Sequence, residues 1–142
     1  DALTFLRNAR EHLESDGLLG IEVSVFSEEE LADESVDSNL HHDFTRELPS
    51  GGWIDRFSIS SYDAETRIMS MRLFYETYGA SGISESRRYH DLEIRVTDRA
   101  ELESMLEIAG FVVELVCGGF KGETFESDSD HLLVLARNPA TG

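Results

Sequence analysis

The chain has 142 residues, a length that suits a single domain spanning residues 1–142. Hydrophobic residues make up 40% and aromatic residues 9%, which is enough to fill a core and excludes disorder over the whole length. Twelve Lys and Arg against 29 Asp and Glu give a formal net charge of −17, so the chain would repel a phosphate backbone and nucleic acid is excluded as a partner.

The basic residues are unusual in kind as well as in number. Eleven of the 12 are Arg, and Lys121 is the only Lys. Many carboxylates with almost no Lys are typical of a cytosol at molar salt, where screening removes the self-repulsion of so acidic a chain. We therefore expect a halophilic source.

Other features of the composition bear on the compartment. Cys117 is the only cysteine, which excludes an intrachain disulfide, and its apolar run at 112–117 is typical of a buried, inert thiol. No stretch approaches the roughly 18 apolar residues of a membrane span, and the N-terminus lacks a signal-peptide pattern. These features predict a cytoplasmic protein with no membrane partner. The absence of an initial Met indicates that the chain begins partway through a longer gene product.

The first elements predict the end of a βαβ unit. Apolar residues at helical spacing over 1–15 predict a helix, and Asp16-Gly17 ends it, with Gly17 as the left-handed cap. The nearly continuous apolar run at 18–26 then predicts a strand buried on both faces of a parallel sheet.

The middle of the chain predicts an antiparallel insert. Residues 28–43 hold seven acids and no Lys or Arg, which predicts a solvated connection or lid with a short helix at 28–34. Alternating runs follow at 53–62, 67–78 and 86–96, joined by short polar or Gly-rich turns. We expect a three-stranded antiparallel meander inserted at 53–96.

The last third predicts a helix and two strands. Thr97 or Asp98 caps a helix whose apolar stripe runs to Ala109, and Gly110 stops it. Strands are predicted at 111–116 and 131–137, with a Gly-rich loop at 118–122 between them. The predicted class is α/β, or α+β when the chain is taken alone.

Two segments resemble the C-terminal half of class I S-adenosylmethionine-dependent methyltransferases. Residues 13–22 resemble their L-x-P-G-G segment before a hydrophobic strand, and residues 95–113 resemble their T-x-x-E-L … L-x-x-A-G-F-x-V element. Gly118-Gly119-Phe120 and the strand at 132–137 complete a match that covers essentially the whole chain. The insert at 56–75 is similar to that of the subgroup that N-methylates nucleotide-linked amino sugars. The resemblance implies a Rossmann-like sheet with an inserted meander.

The resemblance also implies where the cofactor binds. Class I methyltransferases hold S-adenosylmethionine with a strand that ends in a Gly-rich turn and an acidic residue at the next strand end. Here Gly51-Gly52 precedes a strand, and the loop at 118–122 follows one without opening a helix. The resemblance therefore implies that the cofactor-binding half precedes Asp1, that this chain contributes no cofactor-binding residue, and that the isolated chain is inactive.

Three candidate substrate contacts lie on the strand at 18–26. The resemblance implies that Glu22, Ser24 and Phe26 line the substrate pocket, and Glu22 matches a carboxylate of the amino-sugar subgroup. A Glu within an apolar strand costs several kcal/mol unless it is paired or faces a cleft. Both the pocket and a structural ion pair stay open for Glu22.

Arginines of the insert are the remaining candidates. Arg56 and Arg67, with Arg72, could present guanidinium groups to an anionic substrate such as a sugar diphosphate, and cross-strand pairing with acids is the alternative. Glu123 stands where the subgroup tends to carry a basic residue, which argues against a nucleotide sugar. The segments at 41–43 and 126–131 contain metal-ligand residue types without the spacing of a metal loop, so no metal site is predicted.

Two hypotheses for function follow. In the first, the parent protein is a methyltransferase that acts on nitrogen or oxygen of a small molecule, with catalytic residues not assigned. In the second, the chain is a complete, non-enzymatic α+β binding or dimerisation module. The first leaves an open sheet edge beside residues 18–25, which must be covered by a homodimer or by further sequence.

Overall fold

A computed structural model of the protein describes residues 2–36 and 39–140, and for residues 34–36 it describes the backbone only. In chain order the elements are α1 (Ala2–His12), β1 (Leu18–Ser24), α2 (Glu28–Val36), β2 (His41–Glu47), β3 (Trp53–Asp63), β4 (Ile68–Tyr78), β5 (Ser84–Arg95), α3 (Arg99–Ile108), β6 (Val112–Cys117) and β7 (His131–Arg137). The described residues fall into two compact units, one within Asp1–Ser27 and Thr97–Gly142 and the other within Glu28–Val96. Each unit has its own sheet, and the predicted mixed α/β class is confirmed.

The first unit contains a three-stranded sheet in the order β1-β7-β6. β7 runs antiparallel to both neighbours. The prediction that residues 18–26 form a strand buried on both faces of a parallel sheet is therefore wrong. Along β1 the side chains alternate between exposed and half-buried, because α1 and α3 contribute to the core on one face of the sheet only. The apolar residues of the other face made the sequence look uniformly buried.

The core of the first unit lies between that sheet and its two helices. Its buried members are Leu6, Leu102, Leu106, Ala109, Phe111, Leu132, Val134 and Ala136. Leu19, Ile21 and Val23 of β1 pack against this cluster and are half-buried. Cys117 is free and buried, as predicted from its apolar run. None of the described helices is long and apolar enough to cross a bilayer.

The helix ends show how local chemistry sets the chain path. Asp98 is the cap of α3, and its carboxylate accepts the Glu101 N–H at 2.8 Å. Gly110 ends the helix at φ +91°, as predicted. After α1, however, the left-handed residue is Asp16 at φ +62°, so the prediction that Gly17 is the left-handed cap is wrong. Gly17 is needed for close approach instead, because a Cβ there would lie 2.9 Å from the Glu14 carbonyl oxygen.

The second unit is an antiparallel sheet in the order β2-β3-β4-β5, and α2 packs on β3. The three predicted strands are present as β3, β4 and β5, and α2 covers the short helix predicted at 28–34. β2 corrects the prediction that the chain before residue 43 is only a solvated connection. A bulge between His42 and Phe44 interrupts the alternation of β2, which hid the strand in the sequence.

Candidate functional site

A groove of about 390 Å³ lies on the β1-β7-β6 sheet of the first unit. It is lined by Gly20, Ile21, Glu22, Leu115, Cys117, Gly119, Phe120, Gly122, Leu133, Val134 and Leu135. Gly20 keeps part of it open, because a Cβ at this position would meet Leu135 Cδ2 at 3.4 Å. The lining is mainly apolar, and Glu22 is its one charged residue.

One wall of the groove is the loop that follows β6. Within this loop the side-chain carboxylate of Glu123 accepts a hydrogen bond from the Lys121 N–H at 2.8 Å, and the backbone carbonyl of Glu123 accepts one from the Gly118 N–H at 2.8 Å. These two hydrogen bonds close the loop on itself. The ring of Phe120 is 73% exposed and lies edge-on to the His131 imidazole, with 5.3 Å between ring centroids. Glu123 therefore stabilises the loop.

A hydrogen bond between Glu22 and His131 lies at the border of this groove. Oε1 of Glu22 lies 2.9 Å from Nδ1 of His131, and the two side chains are 39% and 41% exposed. The contact arises because Ser24 pairs with His131 in the β1–β7 register, so Glu22 and His131 are diagonal neighbours on one face. The carboxylate of Glu22 is thus paired with His131 and also lines the groove.

The pair has a defined hydrogen-bonding sense. An ionised carboxylate only accepts hydrogen bonds, so Nδ1–H of His131 donates to Glu22 and a neutral ring keeps its lone pair on Nε2. No donor within residues 2–36 and 39–140 forms a hydrogen bond with Nε2 of His131. In the sequence, His131 was noted only within the acidic segment at 126–131 and as the first residue of the predicted strand at 131–137. Its contact with Glu22 was not predicted, because the register that brings the two residues together is a tertiary property.

The other two candidates, Ser24 and Phe26, do not line the groove. Ser24 is exposed on the same face as Glu22, and its register partner is His131. Phe26 follows the end of β1 and is half-buried. Of the three predicted contacts, Glu22 alone is part of the groove lining.

The arginine candidates belong to the second unit. Nε of Arg56 donates to Asp43 Oδ2 at 2.8 Å, and its guanidinium lies 5.0 Å from the centre of the Phe44 ring. Burial opposes the charge of Arg56, but hydrogen bonds with Asp43 and Tyr75 leave its pKa raised. Arg72 likewise donates twice to Asp91, at 2.5 and 2.9 Å. For Arg56 and Arg72 the structure shows the cross-strand pairing that was the alternative prediction.

Arg67 does not converge with Arg56. It lies just before β4 at φ +57°, and its carbonyl accepts the Val96 N–H at 2.9 Å. Asp63 ends β3 beside the turn that contains Arg67, because it pairs with Ile68. Arg56 lies seven residues from Asp63 along β3, a distance of about 23 Å along the strand. The two guanidinium groups therefore start from opposite parts of the sheet and do not form one anion site.

A second polar network occupies the same sheet and was not predicted. Asp55 accepts hydrogen bonds from Thr45 Oγ1, from Trp53 Nε1 at 3.2 Å and from His42 Nε2 at 3.4 Å. The hydrogen bond from Thr45, more than those from His42 and Trp53, lowers the pKa of Asp55. Directly opposite in the register, Glu76 accepts from Arg87 at 2.7 Å, which is the main cause of its lowered pKa. Both carboxylates are thereby held ionised.

The described residues contain no group of three or more His, Cys, Asp or Glu that could hold a metal ion. The Gly-rich loop after β6 returns to the bridge between Cys117 and Thr124 and does not open a helix. Its N–H groups at Gly118 and Gly122 are bonded within the loop. These residues therefore do not fit the strand–turn–helix cradle of S-adenosylmethionine.

Among known proteins, no family model and no curated protein matches the chain. Solved structures do match it. The CcbJ methyltransferase from Streptomyces caelestis is 20% identical over 97% of this chain and 50% of its own, with a TM-score of 0.66. An S-adenosylmethionine-dependent methyltransferase from Clostridium acetobutylicum is 12% identical over 97% and 51%, with a TM-score of 0.72. CalS10 from Micromonospora echinaspora, an amino pentose methyltransferase with S-adenosylmethionine bound, is 20% identical over 96% and 50%, with a TM-score of 0.63.

These matches establish a similarity of fold. The chain spans about half the length of the methyltransferase structures that it matches. At 12–20% identity the shared property is the fold, and function has to be argued from the site.

Proposed function

We propose that this chain is the substrate-side portion of an S-adenosylmethionine-dependent methyltransferase that transfers a methyl group to nitrogen or oxygen of a small molecule. The observation that carries the proposal is the fold similarity, which extends over 96–97% of the chain in three methyltransferase structures. The sequence elements around Gly17 and Gly110 that resemble this family support it independently.

In this proposal the cofactor is bound by sequence outside the chain. The described residues do not fit S-adenosylmethionine, because the Gly-rich loop after β6 closes on itself and the glycines at 51–52 and at 79 and 82 lie in turns that join antiparallel strands. The chain orients the methyl acceptor. Holding two reactants in line accounts for a large part of the rate enhancement in a transfer between two bound molecules. We expect that the isolated chain neither binds the cofactor nor transfers a methyl group.

The groove on the β1-β7-β6 sheet is proposed as the acceptor site. Glu22 lines it, and Ser24 and Phe26 are proposed to contact the acceptor because they continue the same strand toward its end. Arg56 and Arg67 remain proposed anion contacts, although Arg56 is already engaged by Asp43. A sugar diphosphate is therefore the less favoured acceptor.

The test uses the product of the whole gene beside the 142-residue chain. Both are incubated in molar KCl with S-adenosyl-[methyl-³H]methionine and a panel of amines and alcohols, and tritium in the acceptor is counted. The proposal predicts transfer by the whole product and none by the chain alone. Calorimetry with the cofactor should show no binding to the chain. If the whole product transfers no methyl group and binds no cofactor, the proposal is overturned.

The second candidate function is a non-enzymatic binding or dimerisation module. The observation that favours it is that the described residues contain a sheet and core with no cofactor cradle. The same whole-product assay separates the two candidates, since a module of this kind would bind a ligand or itself without consuming S-adenosylmethionine.

A further inference from the structure

The strand β5 is an open edge of the sheet in the second unit. In the order β2-β3-β4-β5 it pairs with β4 on one side, and no described strand lies on the other. Eleven of its 12 residues are exposed, so the described part of the chain leaves this strand uncovered. Tyr89, Leu92 and Ile94 are among them, at 64%, 43% and 39% exposure. A long edge with open backbone groups and exposed apolar side chains is a template for pairing with another strand.

Symmetry limits the ways in which two copies of β5 can pair. In a continuous antiparallel sheet made from two identical strands, the twofold axis is perpendicular to the sheet and passes between one residue and its own copy. A shift of the register by a single residue would turn the side chains of one strand to the wrong face, which the axis forbids. The register can therefore change only in steps of two residues, each of which moves the axis by one residue.

The charges of β5 favour one of these registers. With the axis at His90, Arg87 of each copy lies opposite Glu93 of the other, so two attractive contacts form. Moving the axis by one residue toward the end of the strand sets two copies of Asp91 opposite one another. Moving it by one residue toward the start brings Glu85 to Glu93. Among these three registers, only the one centred on His90 has no contact between like charges of opposed carboxylates.

Arg87 and Glu93 are available for this contact. The Arg87 side chain is 60% exposed and donates from Nη2 to Glu76 at 2.7 Å, and a guanidinium has further N–H donors. Glu93 is exposed and forms no ion pair within the described part of the chain. In the paired strands each Arg87 would lie between Glu76 of its own copy and Glu93 of the other.

We propose that two copies of this chain associate edge to edge through β5, so that their four-stranded sheets join into one antiparallel sheet with the twofold axis at His90. The association satisfies the open backbone groups of β5 and pairs Arg87 with Glu93 across the axis. It does not depend on the proposed function, and it differs from the open edge beside residues 18–25, which belongs to the other sheet. The net charge of −17 opposes association, so added salt should strengthen it.

The first test measures the association of the 142-residue chain by sedimentation equilibrium. We expect a dimer whose Kd falls at least tenfold between 0.2 and 2 M KCl. In 0.5 M KCl, Glu93→Arg should raise the Kd at least tenfold, because it sets an arginine opposite Arg87. Glu65→Arg makes the same change of charge in the turn before β4 and should change the Kd less than threefold. A chain that stays monomeric in 2 M KCl, or a dimer that Glu93→Arg does not weaken, would overturn the proposal.

A mixture of two variants tests the pairing itself. Arg87→Glu sets two carboxylates opposite one another, so this variant should also associate poorly alone. When it is mixed with Glu93→Arg, each copy of one variant meets the opposite charge on the other at both contacts. We expect the mixture to form heterodimers with a Kd within threefold of the wild type, and dispersed amide spectra to show that both variants are folded. A mixture of folded variants that associates no better than either alone would contradict the Arg87–Glu93 contact.

A disulfide tests the position of the axis. His90→Cys should give a covalent dimer under mild oxidation, because the two residues face each other with Cα atoms about 4.5–5.5 Å apart. Arg88→Cys is the matched control, since its two copies would be offset by about 13 Å along the strands. The wild type should stay unlinked, because its Cys117 is buried. If His90→Cys links no faster than Arg88→Cys, the axis is not at His90 and the proposal falls.

Discussion

His131 and Glu22 are 109 positions apart in the chain, and the antiparallel pairing of β1 with β7 brings Nδ1 of one to 2.9 Å from Oε1 of the other. The register sets this contact, because His131 pairs with Ser24 and Glu22 lies two positions back on the same face. The pair therefore exists only when both strands are in place. It supplies the charged end of a groove whose other walls are apolar.

The cap at Gly110 predicts a specific loss of stability. Gly110→Ala places an L side chain at φ +91° and its Cβ 2.7 Å from Nη1 of Arg10, which hydrogen-bonds Asn138 at 3.0 Å. We expect the free energy of unfolding to fall by more than about 1 kcal/mol, since backbone strain and the displaced guanidinium add. Gly122→Ala is the control, because φ is +81° and no atom lies within 4 Å of the new Cβ. Urea unfolding that ranks the control as the more destabilised variant would contradict this account.

The Asp55 network predicts a stability change that depends on pH. The pKa of Asp55 is lowered in the folded chain, so folding favours the ionised carboxylate. The resulting stabilisation is fully present above the pKa that Asp55 has in the unfolded chain, and it is lost as the pH falls through the lower pKa of the folded chain. Thr45→Val removes the main hydrogen bond and should cost about 1 kcal/mol at pH 7. The difference from wild type should narrow as the pH falls below 3.8, the ordinary pKa of an aspartate.

A variant on the neighbouring strand controls for the loss of the hydroxyl itself. Thr77→Val on β4 makes the same chemical change at a position that pairs with Ile54 and makes no hydrogen bond to Asp55. Its effect on the free energy of unfolding should be small and the same at pH 7 and pH 3. A Thr45→Val penalty that does not vary with pH would show that Asp55 is not the group responsible.

The net charge predicts a strong response to salt. At −17 the chain repels itself, and the screening length falls from about 10 Å at 0.1 M salt to about 3 Å at 1 M. We predict that Tm rises steadily between 0.2 and 2 M KCl, measured by calorimetry. A variant with Glu126→Gln, Asp128→Asn and Asp130→Asn should show a smaller rise. A Tm that does not change with KCl would contradict the expectation of a halophilic source.

The sequence predicted six of the seven strands, either from alternation or from short apolar runs, and missed β2. β3, β4 and β5 follow from period-two patterns, whereas the bulge at Asp43 broke the pattern of β2. The apolar run at 18–26 predicted a strand correctly but not its exposed face, because burial depends on which face the helices cover.

The candidate site shows the same division. Glu22 was predicted as a pocket residue from the resemblance to the amino-sugar subgroup, and its place within an apolar run indicated that it either meets a partner or faces a cleft. His131 was missed because its partner is 109 positions away and the register is a property of the folded sheet. The pairing of Arg56 with Asp43 was left open as an alternative, and it also depends on β2, which the sequence did not indicate.

The measurement that tests the central claim most directly is the sequence of the gene upstream of the codon for Asp1. The account predicts an in-frame segment with a strand, a Gly-rich turn that opens a helix, and an acidic residue at the end of the next strand. A start codon immediately before Asp1 would contradict it. The methyltransferase proposal would then fail for want of a cofactor site, and the binding module would take its place.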